Sequence, residues 1–375
     1  MTRYGFVSSY PPTRCGLATF TESLASAIAA TATDDARVVR VLDAPAPASE
    51  ARFGSRPVIA ELIGGDPRSI DASVRALNNQ DIVIVQHEYG IYGGPDGDEI
   101  IAVLEAVTAP TVVVLHTVLD EPTVGQKAVL ERVAHLATAL VVMTAAALEI
   151  LGRRYRVDLA KVRVIPHGVA GTLGALPPKQ VAGARVLTWG LIGPGKGLEW
   201  AIRSMAQLRD LEPEYLIVGK THPKVLLREG EAYRERLTAI VDELGLQKVV
   251  HFVDTYPNGD ELAALVGSAD VVLLPYDSRN QVTSGVLVEA LMAGKPVVST
   301  SFPHAVELLS NGAGILVAHE NPDAIAEALR CVLTEEGRAA SMSAAATGSS
   351  VEQSWTHVAQ QYRSLSMSIL AVRAA

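Results

Sequence analysis

The chain has 375 residues, 49% hydrophobic and 19% charged, with a formal net charge of −9 at pH 7. That length implies two or three domains, and the composition is that of a folded chain rather than a disordered one. The acidic balance excludes a non-specific nucleic-acid binder, which needs a basic footprint.

The opening MTRYGFVSSYPPTRCG has no apolar core of signal-peptide length, so no signal peptide is expected. Short β-branched runs follow along the chain, each succeeded by a helical stretch. YGFVSS, VVRVL, IVIV, TVVVL and LVVM form a first set; RVLTW, YLIVG, VVHFV, VVLLP and PVVST form a second. Continuous apolar runs of this length read as strands of parallel sheets covered on both faces. Thr19 to Glu22 has the spacing of a capping box, with Leu24, Ala27 and Ile28 on one face of the helix that would follow. Between the two sets, Gly171 to Gly183 carries Pro177 and Pro178 among glycines and reads as a linker and hinge. The expected fold is α/β: two doubly wound, Rossmann-like parallel-sheet domains, residues 1–170 and 171–350. The last stretch, 351–375, is helical and carries Trp355, Tyr362, Leu365 and Ile369; it is expected to pack back on the first domain. Cys15 and Cys331 lie far apart and form no metal or redox spacing, which fits a reducing cytoplasm. No run of about 20 apolar residues marks a membrane span. Peripheral membrane contact stays open, with Arg153, Arg154 and Arg156 read as a solvated helix end.

In open α/β sheets, ligands bind beyond the carboxyl ends of the strands. Those positions hold Pro11 to Gly16, then His87, Glu88 and Tyr89, then His116 in the first half. In the second half they hold Gly190 to Gly197, Lys220, His222, Asp254, Tyr256, and Tyr276 to Gly285. Two such edges facing each other would make a cleft. His116 and His87 either meet a neighbouring carbonyl or bind and deprotonate a hydroxyl near neutral pH. Tyr89 opens a glycine-rich aromatic loop of the kind that suits a sugar.

Val286 to Ala293 should form a short helix, capped by Ser284 and ended by Gly294. It is apolar on every face except for one carboxylate, Glu289, and is expected to be buried. A buried carboxylate needs a hydrogen-bonding partner, either a core arginine or amide or a hydroxyl-rich ligand at the open helix start. Gly190 to Gly197 fits GxxxxGK, but Gly197 stands where a nucleotide-hydrolysing loop needs Ser or Thr for Mg²⁺. Its glycines still let backbone amides approach a phosphate, and Lys196 adds charge at a helix start.

These stretches resemble the retaining glycosyltransferases of family 4, which have the GT-B fold. The carriers are Pro11 to Gly16, Val164 to Val169 (VIPHGV), Gly190 to Gly197, Ile217 to Gly219, Ala269 to Pro275 and Gly285 to Pro296. The resemblance implies a nucleotide-sugar donor bound mainly by the second domain, an acceptor bound mainly by the first, retention at the anomeric carbon, and no required metal or further cofactor. It assigns Glu289, the second acid of an E-x7-E signature, to the ribose hydroxyls, and Lys196 to the diphosphate. Gly16 would approach the donor phosphate, and His116 would lie by the transferred sugar and acceptor. Gly193, Thr283, Ser284 and Gly285 would meet the donor, with Asp254 and Tyr256 near the base. Arg14, His87, Glu88, Tyr89 and His116 would face the acceptor.

Two positions depart from the family pattern. Gln281 replaces the first acid of the signature, and Leu191 stands where many members have arginine. Arg279, Lys220 and Arg14 are the candidate replacements for that cation. The expectation is an active hexosyltransferase, catalysed through His116, Lys196, Gln281 and Glu289, with GDP-mannose as donor and UDP-glucose as the alternative. The acceptor would be a saccharide, glycolipid or polyol. A phosphorylase or epimerase of the same fold, a nucleotide hydrolase and a non-catalytic nucleotide-sugar binder are the rival readings.

Overall fold

The computed structural model of the chain describes residues 1–46, 53–169, 183–257, 259–347 and 353–374. All of the linker expected at 171–183 except Gly183 lies outside them. The chain divides into two compact units, Met1–Ala170 with Val351–Ala375, and Gly171–Ser350.

The first unit runs β1 (Thr2–Ser8), α1 (Gly16–Ile28), β2 (Asp34–Leu42), β3 (Val58–Ile63), α2 (Pro67–Leu77), β4 (Ile82–His87), α3 (Glu99–Ala106), β5 (Thr111–Leu115), α4 (Val124–Leu136), β6 (Ala139–Val142), α5 (Ala145–Arg154) and β7 (Val162–Val164). Its strands form one parallel sheet in the order β3-β2-β1-β4-β5-β6-β7. The order reverses between β1 and β4, so the crevice of this sheet lies beyond Ser8 and His87.

The second unit runs β8 (Arg185–Trp189), α6 (Leu198–Met205), β9 (Glu214–Val218), α7 (Pro223–Glu229), α8 (Ala232–Glu243), β10 (Val250–Val253), α9 (Gly259–Ser268), β11 (Val271–Leu274), α10 (Gly285–Met292), β12 (Val297–Thr300), α11 (Pro303–Leu309), β13 (Gly314–Val317), α12 (Pro322–Thr334) and α13 (Arg338–Thr347). Its sheet is also parallel, ordered β10-β9-β8-β11-β12-β13. The reversal falls between β8 and β11. Both faces are covered, which is why the strands read as unbroken apolar runs. Val186, Val271 and Leu273 pack into one core, and Leu187, Trp189, Val272 and Leu274 into the other.

The last helix, α14 (Trp355–Ala374), packs against α1 and completes the core of the first unit. Val358, Ala359 and Tyr362 are buried there, with Trp355, Leu365 and Ile369 against them. Arg363 ties it to the end of α1, donating to the carbonyls of Ala27 and Ile28 at 2.7 and 3.1 Å.

Two local expectations change. The Thr19–Glu22 capping box does not form, because α1 already begins at Gly16. Cys15 Sγ caps it by accepting the Ala18 N–H at 3.4 Å. Thr19 sits within the first turn, its hydroxyl on the Cys15 carbonyl, and Glu22 accepts the Ser55 N–H at 2.8 Å instead. Leu24 and Ile28 are buried as the periodicity requires. Helix α10 starts at Gly285 with Ser284 as its cap, but it is not buried all round. Leu287, Val288, Ala290 and Leu291 face the core, while Gly285, Val286, Glu289 and Met292 form a half-buried stripe. The packed face is satisfied by four residues in eight, so the remaining apolar stripe stays accessible.

Candidate functional site

In the second unit the chemistry gathers where the sheet order reverses. Beyond β8 the chain turns through Gly190 to Gly197 and enters α6. Gly197 is the N-cap of α6 and has φ 62°; a Cβ there would lie 1.8 Å from the Pro275 carbonyl oxygen. Only glycine lets this loop touch the end of β11. The Asp277 N–H donates to the Gly195 carbonyl at 3.0 Å, joining the same two segments. Lys196 therefore lies over Tyr276, its Nζ 4.2 Å from the ring centroid.

Helix α10 meets this loop from the other side. The Trp189 indole N–H donates to Glu289 Oε2 at 3.1 Å. Burial pushes the Glu289 carboxyl up to about 7, with the Trp189 hydrogen bond opposing it. Ser284 Oγ accepts the Leu287 N–H at 3.3 Å, and the Ser284 N–H donates to His304 Nδ1 at 2.8 Å. Of the first N–H groups of α10, those of Gly285 and Val286 are the ones that a helix leaves without an internal acceptor. Gln281 Nε2 donates to the Thr283 carbonyl at 3.1 Å, and the buried Thr283 Oγ1 has no partner among the described residues.

The ends of β9 and β10 supply further charge. Arg234, half-buried on α8, donates to the Gly219 carbonyl at 2.7 Å and to Asp254 at 3.3 Å. Lys220 stands 3.9 Å from Asp254. The exposed Asp254 carboxylate is thus engaged by two cations. Tyr256 lies past β10, two strands from β8 in the sheet. Gly193 lies beside α7, where a Cβ would come within 3.1 Å of Val225. Arg279 faces Glu320 at 3.7 Å.

In the first unit, His116 follows β5 and its Nε2 lies 2.7 Å from Gln86 Oε1. Its backbone N–H donates to the His87 carbonyl at 3.1 Å, and the Phe20 ring meets it edge-on with centroids 4.9 Å apart. Phe20 makes the same contact with His167 and Trp355. Desolvation, then His167 and His87, pushes the His116 imidazole down to about 3. Burial alone lowers His87 to about 4, and among the described residues its buried Nδ1 has no hydrogen-bond partner. Glu88 accepts from the Thr117 hydroxyl, and the Tyr89 ring meets His87 edge-on at 5.1 Å. Gly16 opens α1 with free space where a Cβ would be, and Arg14 beside it is exposed. So the residues expected from the first half converge on the ends of β1, β4 and β5.

The structure adds Trp189 at the end of β8, His304 at the cap of α10, and Arg234 on the Gly219 carbonyl just past β9. Among the described residues no group of three or more His, Cys, Asp or Glu is placed to hold a metal ion, and no helix is long and apolar enough to cross a membrane. A groove of about 460 Å³ runs between Arg163–Ile165 and α14 in the first unit and holds none of the candidate residues above.

Residues 178–348 match the family described as Glycosyl transferases group 1. This span carries the whole β8 to β12 arrangement. Among curated proteins, the chain is 29% identical over 245 residues to D-inositol 3-phosphate glycosyltransferase of Stackebrandtia nassauensis, which covers 61% of this chain and 54% of that protein. The chain thus spans about half the length of the curated relatives it matches. Among solved structures, it is similar to sucrose-phosphate synthase from Thermosynechococcus elongatus, with a TM-score of 0.79 at 17% identity, covering 99% of this chain and 100% of that one. HepE of Anabaena, solved with UDP and glucose, gives a TM-score of 0.77 at 16% identity, covering 98% of this chain and 100% of that one. Likeness at this identity shows the fold, which is GT-B.

Proposed function

We propose that the chain transfers a hexosyl group from a nucleotide-sugar to an acceptor hydroxyl, the second unit binding the donor and the first the acceptor. The observation that carries this reading is the pairing, at one sheet reversal, of an accessible carboxylate with a cation on a glycine loop. Glu289 keeps oxygen lone pairs for the ribose hydroxyls, because Trp189 donates to only one of its oxygens. Lys196 supplies the charge that stabilises the departing diphosphate, the interaction that grows as the glycosidic bond breaks. The start of α10 offers backbone N–H groups to the sugar hydroxyls. In the first unit, neutral His116 contributes a hydrogen-bonding ring nitrogen to the sugar and acceptor, beside His87, Glu88, Tyr89 and Arg14.

Transfer proceeds with retention and without a required metal, on this reading, in the cytoplasm. The donor is GDP-mannose, with UDP-glucose as the second reading. That second reading gains from Asp254: a carboxylate held by Arg234 and Lys220 is less free to accept from guanine. The acceptor is a saccharide, glycolipid or polyol, and the name of the curated relatives adds polyol phosphates to the class.

Incubation with either nucleotide-sugar and a panel of saccharides, glycolipids and inositol phosphates tests this. A product heavier by one hexose, with the donor's anomeric configuration by NMR and with release of the diphosphate, supports it. Diphosphate binding without any product would leave a non-catalytic binder, consistent with Gln281 and Leu191.

A further inference from the structure

Among the described residues, no Asp or Glu lies within ion-pair distance of Lys196 Nζ, which instead stands 4.2 Å above the centre of the Tyr276 ring. That distance is well inside the range of cation–π attraction. The ring is itself fixed. Phe302 stacks on it, with ring planes 19° apart and centroids 5.4 Å apart. The Tyr276 backbone carbonyl accepts from the Thr300 hydroxyl at 2.7 Å and meets His319 Nδ1 at 2.8 Å. Tyr276 is 1% exposed, and among the described residues its buried hydroxyl has no hydrogen-bond partner. The hydroxyl therefore does no visible work at this site, and the aromatic face is what Lys196 meets.

We propose that Tyr276 is a positioning residue: its ring face, stacked on Phe302, holds the Lys196 ammonium in place for the donor's diphosphate without neutralising it. A carboxylate in that position would fix the lysine equally well but would cancel the charge that the diphosphate needs. An aromatic face fixes the ammonium and leaves its charge available. This rests on the donor-binding reading given above.

The test is calorimetric titration of the full chain with UDP and GDP, and with the matching monophosphates. Replacing the ring by an aliphatic side chain in Tyr276→Leu is expected to weaken diphosphate binding about tenfold, in line with a partly desolvated cation–π contact. Monophosphate binding should change much less, and Tyr276→Phe should restore the wild-type affinity. The lysine must carry the effect, so Tyr276→Leu should add little in a Lys196→Met background. That double-mutant comparison separates positioning from general loosening of the core around Phe302. Equal diphosphate affinity in wild type and Tyr276→Leu would overturn the proposal. So would an equal loss with and without Lys196, or a Tyr276→Phe variant as weak as Tyr276→Leu. Failure of the wild type to bind any diphosphate would instead overturn the donor-binding reading.

Discussion

Trp189 Nε1 donates to Glu289 Oε2 across 3.1 Å, fastening the last residue of β8 to the middle of α10. One oxygen of a half-buried carboxylate is thereby held while the other remains to accept from a ligand. The carboxyl is lifted from 4.5 to about 7, first by burial. A raised acid stabilises the fold below the unfolded pKa, where folded and unfolded chains both keep the proton. That contribution is lost as pH rises through about 7. Glu289→Gln should therefore gain stability relative to wild type between pH 4.5 and pH 8, by about 3 kcal/mol at most. Urea unfolding of both proteins across that range measures it; parallel curves would contradict the assignment. Wild-type affinity for a nucleotide-sugar should fall severalfold from pH 8 to pH 6, a step that Glu289→Gln lacks.

His116 is expected to stay neutral throughout the physiological range. Desolvation and its two histidine neighbours place its titration near 3. Its ring resonances in NMR should be flat from pH 5 to pH 8, and any acid limb of kcat/KM in that interval should persist in His116→Ala. A midpoint near 6.5 for this ring would show that it is solvated, and the hydrogen-bonding role given to it would need revision.

The close contact between Gly197 and the Pro275 carbonyl makes Gly197→Ala a sharp test of the loop. The added Cβ would meet that oxygen at 1.8 Å, and φ 62° is unfavourable for alanine. A loss of at least about 2 kcal/mol is expected from strain and overlap together. Chemical denaturation reads it; an unchanged midpoint would mean that the loop does not lie against β11.

The packing of α14 makes Trp355 a test of the first unit's core. Gly168 lies so close to Trp355 that a Cβ on it would come within 2.3 Å of the indole. Trp355→Ala removes that partner and the edge contact with Phe20, and should cost about 3 kcal/mol. Thermal unfolding of the full chain should show it; a melting curve identical to wild type would contradict the packing.

Much of this was legible from local pattern. Ten strands announced themselves as apolar runs because both sheet faces are covered. Among the described residues three did not: β3 is interrupted by Ala60 and Glu61, β7 has three residues, and β13 opens on a glycine. Glu289 was conspicuous as one charge in an apolar helix, and Ser284 as its cap. Their partners were not visible, because Trp189 and His304 reach them from 100 and 20 residues away. Asp254 is expected from sequence near the donor's base, yet Arg234, 20 residues back, lies beside it only once α8 folds onto β9. Spacing reveals what shares one element; these pairs are made by the order of strands.

On the proposed function, the end of β8 and the start of α10 bind a nucleoside diphosphate. Calorimetric titration with GDP, UDP, ADP and ATP, without and with Mg²⁺, tests it most directly. The account predicts metal-independent micromolar binding of one diphosphate, lost in Glu289→Ala and weakened in Lys196→Ala. Binding of ATP alone, and only with Mg²⁺, would contradict it and make the glycine loop a nucleotide-hydrolysing one.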